Sequence, residues 1–411
     1  MLAGFVFTIL VGLLGTPVGG RNFAIIFVWI AWWTVLKLVL IPFGGRAWCS
    51  VCPIPVVGEW AQWGGILRQG KGVGLQLRWP RKLRGSWLQL AGFAFMGLFS
   101  AVLLTVPSAT GWILLILITV AVALSLVFER RAFCRYLCPI GGFIGWYAQL
   151  APLEVRVRDR AACKTCADKP CYEGCTWGLF PSAVTQNLDC GLCMACLRIC
   201  PYDNMALKAR PFGADLAAQA APRQLDRAWF GLFLLACAPI YSTVMLGPWG
   251  WLTEAAYAVG SAAWFRYAAA FLGASLGILP GLFLLAVWAG WRLEGRSGTL
   301  KQRFTRLSYA LSPLGLTAWI AFTLTFAFSK LAYVWPVLSD PLGAGWDLLG
   351  TADWAWQPYL VDATPFLQVL VLLGGLLWTV IEIRRVASLR ASLPVITFGT
   401  VFTAMMLWLL L

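Results

Sequence analysis

Nine apolar runs constrain the fold of this chain more than any other feature of its sequence. Each is close to the length of about 20 residues that a helix needs to cross a bilayer. The runs lie at 2–17, 22–43, 87–106, 111–128, 227–247, 268–290, 311–335, 364–381 and 392–411. Because 60% of the residues are hydrophobic and only 12% are charged, the chain cannot cover a water-soluble surface. The sequence therefore predicts a polytopic α-helical membrane protein with about nine transmembrane helices.

The distribution of charge predicts how these helices are oriented. Basic residues are concentrated in the segments 44–85, 129–227, 292–306 and 384–390, whereas the segment 338–362 carries four Asp and no Lys or Arg. Basic loops mark the cytoplasmic side of a membrane protein. We expect an inner-membrane protein with its amino terminus inside and its carboxyl terminus outside. The net charge of +15 thus indicates contact with membrane lipid and does not indicate nucleic-acid binding. No Lys or Arg precedes the first run and a second run follows at once, so we expect a short first helix and no cleaved signal peptide.

Cysteine and histidine usage limits the chemistry. Twelve of the 13 cysteines lie in segments assigned to the reducing cytoplasm, which disfavours a disulfide scaffold. The chain has no histidine, which excludes haem with a His ligand, a Rieske centre and a Cys/His zinc site. Any metal centre in this sequence must be held largely by thiolates.

The strongest motif is Cys190-x2-Cys193-x2-Cys196-x3-Cys200-Pro201, the spacing of bacterial ferredoxins. In that pattern three cysteines bind one [4Fe–4S] cluster and the fourth binds a partner cluster. A second run precedes it at Cys163-x2-Cys166-x4-Cys171-x3-Cys175, with Thr176 in place of the proline. Two [4Fe–4S] clusters are predicted, with crossed ligands. One takes Cys163, Cys166, Cys171 and Cys200, and the other takes Cys190, Cys193, Cys196 and Cys175.

The surrounding sequence predicts a small α+β, ferredoxin-like domain at 153–224 on the cytoplasmic side. This segment is hydrophilic, with turn-forming residues and short alternating stretches. The remaining domains are predicted at 1–152, with duplicated transmembrane hairpins, and at 225–411, a five-helix transmembrane region. Two zinc knuckles are the alternative for the cysteine runs, but zinc sites rarely show three cysteines in an x2, x2 series.

An internal repeat occupies the first domain. Arg46-Ala47-Trp48-Cys49-x2-Cys52-Pro53 is echoed by Arg131-Ala132-Phe133-Cys134-x3-Cys138-Pro139, and each copy follows a predicted two-helix hairpin. The four cysteines of the repeat are Cys49, Cys52, Cys134 and Cys138. Three hypotheses stay open for them, namely a third iron–sulfur cluster, a dithiol relay and a structural bend with buried cysteines.

Paired C-x2-C-P and C-x3-C-P motifs followed by an eight-cysteine insert resemble the NapH and NosR group of membrane polyferredoxins, over about residues 1–225. The resemblance implies a membrane-bound electron-transfer subunit that works between the quinone/quinol pool and a respiratory redox partner. It extends neither to a flavin-bearing domain nor to the five additional spans of this chain. A metal or cofactor reductase for assembly of a respiratory enzyme, similar to CcoG-type proteins, and a structural subunit of a redox complex are the alternatives.

Quinol oxidation requires a proton acceptor close to the electron acceptor, and the repeat offers one candidate base and two candidate contacts of the quinone. Glu59 is the only acid in the segment 44–85 and is a candidate base. Gln62 and Gln149 occupy equivalent positions of the repeat, in Trp60-Ala61-Gln62 and Tyr147-Ala148-Gln149, and are candidate hydrogen-bond partners of a quinone carbonyl. Lys330 lies inside an apolar run and is a further candidate functional residue. Cys237 is expected to be a small buried side chain.

Overall fold

The computed structural model describes residues 1–65, 72–218 and 223–411. Parts of two predicted segments, the basic loop 44–85 and the domain 153–224, therefore lie outside the described residues.

Apolar helices coincide with all nine predicted runs. In the described part of the chain, seven helices are long and apolar enough to cross a membrane. They are Phe23–Gly44, Pro107–Val127, Leu225–Met245, Ala262–Leu293, Leu300–Ser339, Thr364–Val386 and Leu389–Leu410. Two shorter apolar helices, Leu2–Leu14 and Trp87–Leu98, account for the remaining runs. The predicted fold class, a polytopic helical membrane protein with a small α+β insert, is confirmed.

The two shorter helices end where the local sequence disfavours a helix. Leu2–Leu14 spans 13 residues, or about 20 Å at 1.5 Å per residue, and stops before Thr16-Pro17 because a residue that precedes proline avoids helical geometry. The predicted run 87–106 divides into Trp87–Leu98 and Ser100–Leu103, with Phe99 between them at φ −99° and ψ 10°.

Several spans are not regular α-helices. π-helical segments occupy Ile26–Trp32 and Leu36–Leu40 within the span Phe23–Gly44, and Gly273–Ile278 within the span Ala262–Leu293. Such segments absorb an extra residue in a helix and frequently occur at functional sites. The span Phe23–Gly44 therefore contains two irregular segments of the kind that occur at functional sites.

The chain divides into two compact units. The first comprises Met1–Phe5, Val39–Gly92 and Leu114–Ala221, and the second comprises Val6–Leu38, Phe93–Ile113 and Pro222–Leu411. In the first unit, the cysteine-bearing segments of the repeat form short helices. They are Ala47–Val51, Val56–Trp63, the π-helix Phe133–Leu137 and Pro139–Ala148.

The insert is built on one small antiparallel sheet. Strand β1 (Leu153–Val157) pairs with strand β2 (Met205–Ala209), in a register that places Leu153 opposite Ala209 and Val157 opposite Met205. Val155, Leu192 and Met205 form its core. The cysteines lie on or beside short helices between the strands, at Arg160–Thr165, Pro170–Glu173 and Ala195–Ile199. Helical turns at Pro181–Ala183 and Ala214–Ala217 complete the domain.

In the second unit, Ser312–Lys330 packs against Leu225–Met245 and Thr364–Val386, and Leu279–Leu293 packs against Leu389–Leu410. Aromatic contacts join the helices, with 5.4 Å between the rings of Tyr241 and Trp319. Gln368 donates from Nε2 to the Ala321 carbonyl at 2.9 Å, which satisfies a buried amide. The other helices of the unit are Gly250–Tyr257, Ala262–Leu272, Leu300–Ala310 and Val334–Ser339.

Candidate metal centres and their surroundings

The two ferredoxin runs adopt the same local geometry. Cys171 and Cys196 are each the second residue of a short helix, and the residue before each helix, Lys169 or Met194, has a positive φ of 44° or 58°. The first run has four residues between its second and third cysteines where the second run has two, and in both runs a short helix with the third cysteine as its second residue follows. The departure from ferredoxin spacing noted in the sequence leaves the position of the third cysteine intact.

The thiols of the insert come together in two crossed sets of four. The first insert set comprises Cys163, Cys166, Cys171 and Cys200. The second insert set comprises Cys175, Cys190, Cys193 and Cys196. Burial raises the pKa of Cys171, and the negative charges of the other first-set cysteines raise it further. Burial and the neighbouring cysteines likewise raise the pKa of Cys196 to about 12. Each set thus contains the four cysteines that the sequence predicted for one cluster.

Hydrogen-bond donors point at the sulfur atoms in an equivalent way in both runs. The backbone N–H of Leu179 lies 3.4 Å from Cys175 Sγ, and that of Asn204 lies 3.4 Å from Cys200 Sγ. Asn204 also directs Nδ2 at Cys163 Sγ, at 3.3 Å. Donors at these positions suit thiolate sulfurs bound to iron, because such hydrogen bonds stabilise the negative charge on sulfur. Among the described residues, no group of three or more His, Cys, Asp or Glu side chains is arranged to hold a single metal ion.

The cysteines of the repeat form a third group, here called the buried set. It comprises Cys49, Cys52, Cys134 and Cys138, which interact with one another electrostatically. Three of them are only 7–8% exposed, whereas the cysteines of the insert are all partly exposed. Cys52 and Cys138 each end a short helix with an extended ψ, 130° and 115°, immediately before a proline. The structure thus brings the four thiols of the repeat near one another, and their role as ligands of a third cluster stays a prediction.

Burial favours the neutral form of these thiols. It raises the pKa of Cys52 to about 12 and that of Cys138 to about 11, and it raises the pKa of Cys134 well above the usual value. Arg131 and Arg46 oppose the shift, since Arg131 lies near Cys52 and Arg46 lies near Cys138. Metal binding requires thiolates, so these two cations favour the ligand form of the buried set.

The two arginines occupy the same position in the two copies of the repeat but have different partners. Arg131 forms a two-point ion pair with the Glu59 carboxylate and also donates to the Cys49 carbonyl. Burial disfavours the charge on Arg131, but Glu59 outweighs this effect and raises the pKa of Arg131. Arg46 has no carboxylate partner among the described residues and donates to the Leu188 carbonyl of the insert.

Trp177 of the insert contacts both arginines of the repeat. Its ring centroid is 4.4 Å from the Arg46 guanidinium and 5.9 Å from that of Arg131, and its side chain is 2% exposed. A Cβ added at Gly191 would fall 2.1 Å from the indole Nε1, so the ring lies directly on the backbone of the second cysteine run. Arg131 interacts electrostatically with both Cys134 and Cys193. Arg131 and Trp177 therefore lie between the buried set and the second insert set.

Each of the three predicted quinone contacts forms an ion pair or a hydrogen bond within the protein. Glu59 is 7% exposed and pairs with Arg131. Gln62 Nε2 lies 2.8 Å from the Ser125 carbonyl and 2.7 Å from the Phe128 carbonyl, at the end of the span Pro107–Val127. Gln149 is fully buried and donates to the Trp146 carbonyl. Their role towards a quinone stays a prediction.

The chain matches one iron–sulfur family profile and several ferredoxin-type proteins. The family profile described as "4Fe-4S binding domain" (Fer4_5) matches residues 25–74 and 110–158, the two copies of the repeat that carry the buried set. The chain is 29% identical to the methylamine utilization ferredoxin-type protein MauN of Paracoccus denitrificans, over 34% of this chain and 52% of that protein. It is 26% identical to the ferredoxin-type protein NapH of Haemophilus influenzae, over 40% and 63%.

The chain resembles NapH-type membrane polyferredoxins over part of its length. It also matches the putative electron transport protein YccM of Escherichia coli, with 36% identity over 21% of this chain and 24% of that protein. The chain spans between half and two thirds of the MauN and NapH relatives. No solved structure matches it. The resemblance expected from the cysteine motifs is confirmed.

Sequence reasoning missed three residues that the structure brings to prominence. Arg46 and Arg131 had a signal, because both stand three residues before the first cysteine of a repeat copy. Trp177 had none, since a tryptophan two residues after a cysteine is unremarkable in a chain with 24 tryptophans. Of the other candidates, Cys237 is fully buried as expected, and Lys330 lies with its ammonium 5.7 Å from the Tyr333 ring centroid.

Proposed function

We propose that this protein is a membrane-bound electron-transfer subunit that passes electrons through [4Fe–4S] clusters between the quinone/quinol pool and a respiratory redox partner. The observation that carries the proposal is the grouping of twelve cysteines of one unit into three sets of four. The similarity to NapH- and MauN-type ferredoxin proteins supports the same role.

The proposed ligands follow the three sets. The first and second insert sets each hold one [4Fe–4S] cluster, and the buried set holds a third. The match of a 4Fe-4S binding domain to residues 25–74 and 110–158 supports the third assignment, because those residues contain the buried set and none of the insert cysteines. Clusters of this kind supply one-electron transfer when bound.

Glu59, Arg131 and Trp177 orient and enclose the proposed cluster sites. The ion pair of Glu59 and Arg131 joins the two copies of the repeat and keeps a positive charge beside the thiolates. Trp177 excludes water from the space between the buried set and the second insert set, since it is buried against Arg46 and Gly191. A dry, fixed spacing between redox centres favours transfer, because little solvent has to reorganise when charge moves.

The proposed donor is a membrane quinol and the proposed acceptor is another redox subunit. Glu59, Gln62 and Gln149 are the proposed quinone contacts near the buried set. We propose that the insert faces the cytoplasm, on the basis of the basic segments that flank it. Replacement of Glu59 by Gln should slow cluster reduction by quinol and leave the iron content unchanged. Unaltered reduction kinetics would remove Glu59 from the mechanism.

The decisive test is the iron and acid-labile sulfide content of anaerobically purified protein, combined with low-temperature EPR. We expect about twelve iron atoms per chain, four for each cubane. Cys49→Ser, Cys163→Ser and Cys190→Ser should each remove about four and abolish a different EPR signal. Cys237→Ser is the matched control, because Cys237 is a buried cysteine of the second unit, whereas the three sets belong to the first.

Two outcomes would contradict the proposal at different levels. About eight iron atoms in the wild type, with no loss in Cys49→Ser, would mean that only the two insert sets hold clusters. The buried set would then be a structural element or a dithiol relay. Zinc in place of iron, with no EPR signal after reduction, would overturn the electron-transfer function as a whole.

A further inference from the structure

One lysine is fully buried among aromatic rings inside a predicted membrane span. Lys37 is 1% exposed and lies in the π-helical segment Leu36–Leu40 of the span Phe23–Gly44. Its ammonium nitrogen is 5.1 Å from the ring centroid of Trp33, 5.2 Å from that of Trp319 and 5.7 Å from that of Phe322. Ionisable side chains at such positions are rare and are generally functional.

The rings are the only partners of this ammonium that the described residues provide. No carboxylate or hydrogen-bond acceptor pairs with it across 1–65, 72–218 and 223–411. Contact with ring faces recovers part of the free energy lost when a cation leaves water, but it leaves the N–H donors unsatisfied. The site therefore favours a ligand that brings an acceptor oxygen.

A cleft in the second unit opens beside Lys37. Its walls include Trp29, Trp33, Phe93, Trp319 and Phe326. The indole N–H of Trp29 donates to Thr110 Oγ1 at 2.9 Å and that of Trp319 donates to the Leu234 carbonyl at 3.0 Å. Since these donors are engaged elsewhere, the two indoles offer ring surface to the cleft and Lys37 offers the N–H donor.

These features define the chemistry of the ligand. Aromatic walls select a flat apolar ring, a single buried cation selects one acceptor oxygen on that ring, and the location within membrane spans selects a compound dissolved in lipid. We propose that this cleft binds the ring of a membrane quinone at a second position, separate from the contacts proposed at Glu59, Gln62 and Gln149, with Lys37 donating a hydrogen bond to one ring oxygen. The choice of a quinone rests on the proposed function, whereas the location rests on Lys37 and its surrounding rings.

The π-helical geometry provides a second, independent argument. Trp29 and Ile30 line the cleft from the segment Ile26–Trp32, and Lys37 lines it from Leu36–Leu40. Each segment departs from the regular helix register, which turns its side chains relative to the rest of the span. Both departures therefore fall on the residues that form the cleft.

The test is photoaffinity labelling of the full-length protein in proteoliposomes with an azido-substituted short-chain benzoquinone, followed by peptide mapping. We expect label on peptides that contain Trp29 to Lys37 or Trp319 to Phe326, and competition by unlabelled short-chain quinone. Lys37→Met should weaken quinone binding at least tenfold and Lys37→Arg less, with wild-type iron content and dithionite reduction in both. Lys301→Met is the matched control, since Lys301 is an exposed lysine in a span of the same unit and does not line the cleft.

The outcomes separate this inference from the proposed function. Label confined to peptides around Glu59, Gln62 or Gln149, with binding unchanged in Lys37→Met, would overturn the cleft and leave quinol as the donor. Competition by a plain alkyl chain as strong as that by the quinone would mean that a lipid chain occupies the cleft. Absence of any quinone label, with full iron content and normal dithionite reduction, would overturn the cleft and the quinol donor but not the electron-carrying clusters. Labelling of the wild type decides the location even if Lys37→Met does not fold.

Discussion

The two copies of the repeat bring their cysteines to the buried set by different local structures. In the first copy, Cys49 lies in the α-helix Ala47–Val51 and two residues separate it from Cys52. In the second, three residues separate Cys134 from Cys138, and the segment Phe133–Leu137 is a π-helix, closed by a hydrogen bond of 2.8 Å from Cys138 N to the Phe133 carbonyl. The wider π turn accommodates the extra residue. The two copies therefore differ in the spacing of their cysteines along the sequence, and both still place their cysteines in the buried set.

The copies also differ in how they hold their arginines. Glu59 of the first copy aligns with Trp146 of the second, so only one carboxylate is present for two equivalent cations. It pairs with Arg131 of the opposite copy, and Arg46 uses the insert instead, through the Leu188 carbonyl and the Trp177 ring. The two copies of the repeat therefore differ at the place where one of them contacts the insert, which is not part of the repeat.

The largest expected difference between the copies concerns single-residue deletions. Deletion of Tyr136 should convert the π turn to an α turn and give the second copy the spacing of the first, so the iron content should be retained. Deletion of Val51 leaves one residue between the cysteines of the first copy, and residues two apart point to different sides of a helix. We expect a loss of about four iron atoms per chain, measured with acid-labile sulfide.

Tyr136→Ala is the control for that experiment, because Tyr136 stacks on Trp79 with 5.3 Å between the ring centroids. Equal iron loss in both deletions would show that the π turn is itself required for the site.

Replacement of the two arginines should have the next largest effect. Arg131→Met leaves the Glu59 carboxylate buried without its partner, which should lower the free energy of unfolding by about 3–5 kcal/mol. Arg46→Met leaves one carbonyl without its donor and should cost about 1–3 kcal/mol. Denaturation of both variants in the same detergent, followed by tryptophan fluorescence, compares them directly. The double variant Glu59→Leu with Arg131→Met should recover most of the loss, and failure to recover would mean that Arg131 acts through contacts other than Glu59.

The smallest expected difference concerns two equivalent glycines. A Cβ at Gly58 would lie 2.5 Å from Ser125 Cβ, whereas a Cβ at Gly145 would lie 2.9 Å from the Arg46 guanidinium and 3.1 Å from the Leu188 carbonyl oxygen. Gly58→Ala should therefore destabilise the protein by about 1–3 kcal/mol, because the helix Pro107–Val127 must shift. Gly145→Ala should also destabilise the protein but by less, because only the end of the Arg46 side chain and the Leu188 carbonyl must shift and helix propensity offsets part of the cost. Thermal unfolding of both variants measures the difference, and a larger effect at Gly145 would contradict this account of the packing.

Much of the fold could be predicted from the chain because hydrophobic length and cysteine spacing are local signals. The nine apolar runs, the small sheet of the insert and the two crossed groups of insert cysteines are all visible in sequence. The interruption at Phe99 and the π segments were not visible, because they depend on how helices fit against one another. Lys37 was also overlooked, since its position near the end of an apolar run predicts a side chain that extends to the membrane surface.

The sequence by itself determined the fold class, the absence of histidine ligands and the candidate cysteines, because residue type and spacing restrict which metals and which helices a chain can form. Only the tertiary structure decided that the four cysteines of the repeat converge, that Glu59 is bound to Arg131, and that Lys37 is enclosed by aromatic rings. The reason is physical: Cys49 and Cys134, Glu59 and Arg131, and Lys37 and Trp319 are far apart in the chain, and only packing sets the distances between them.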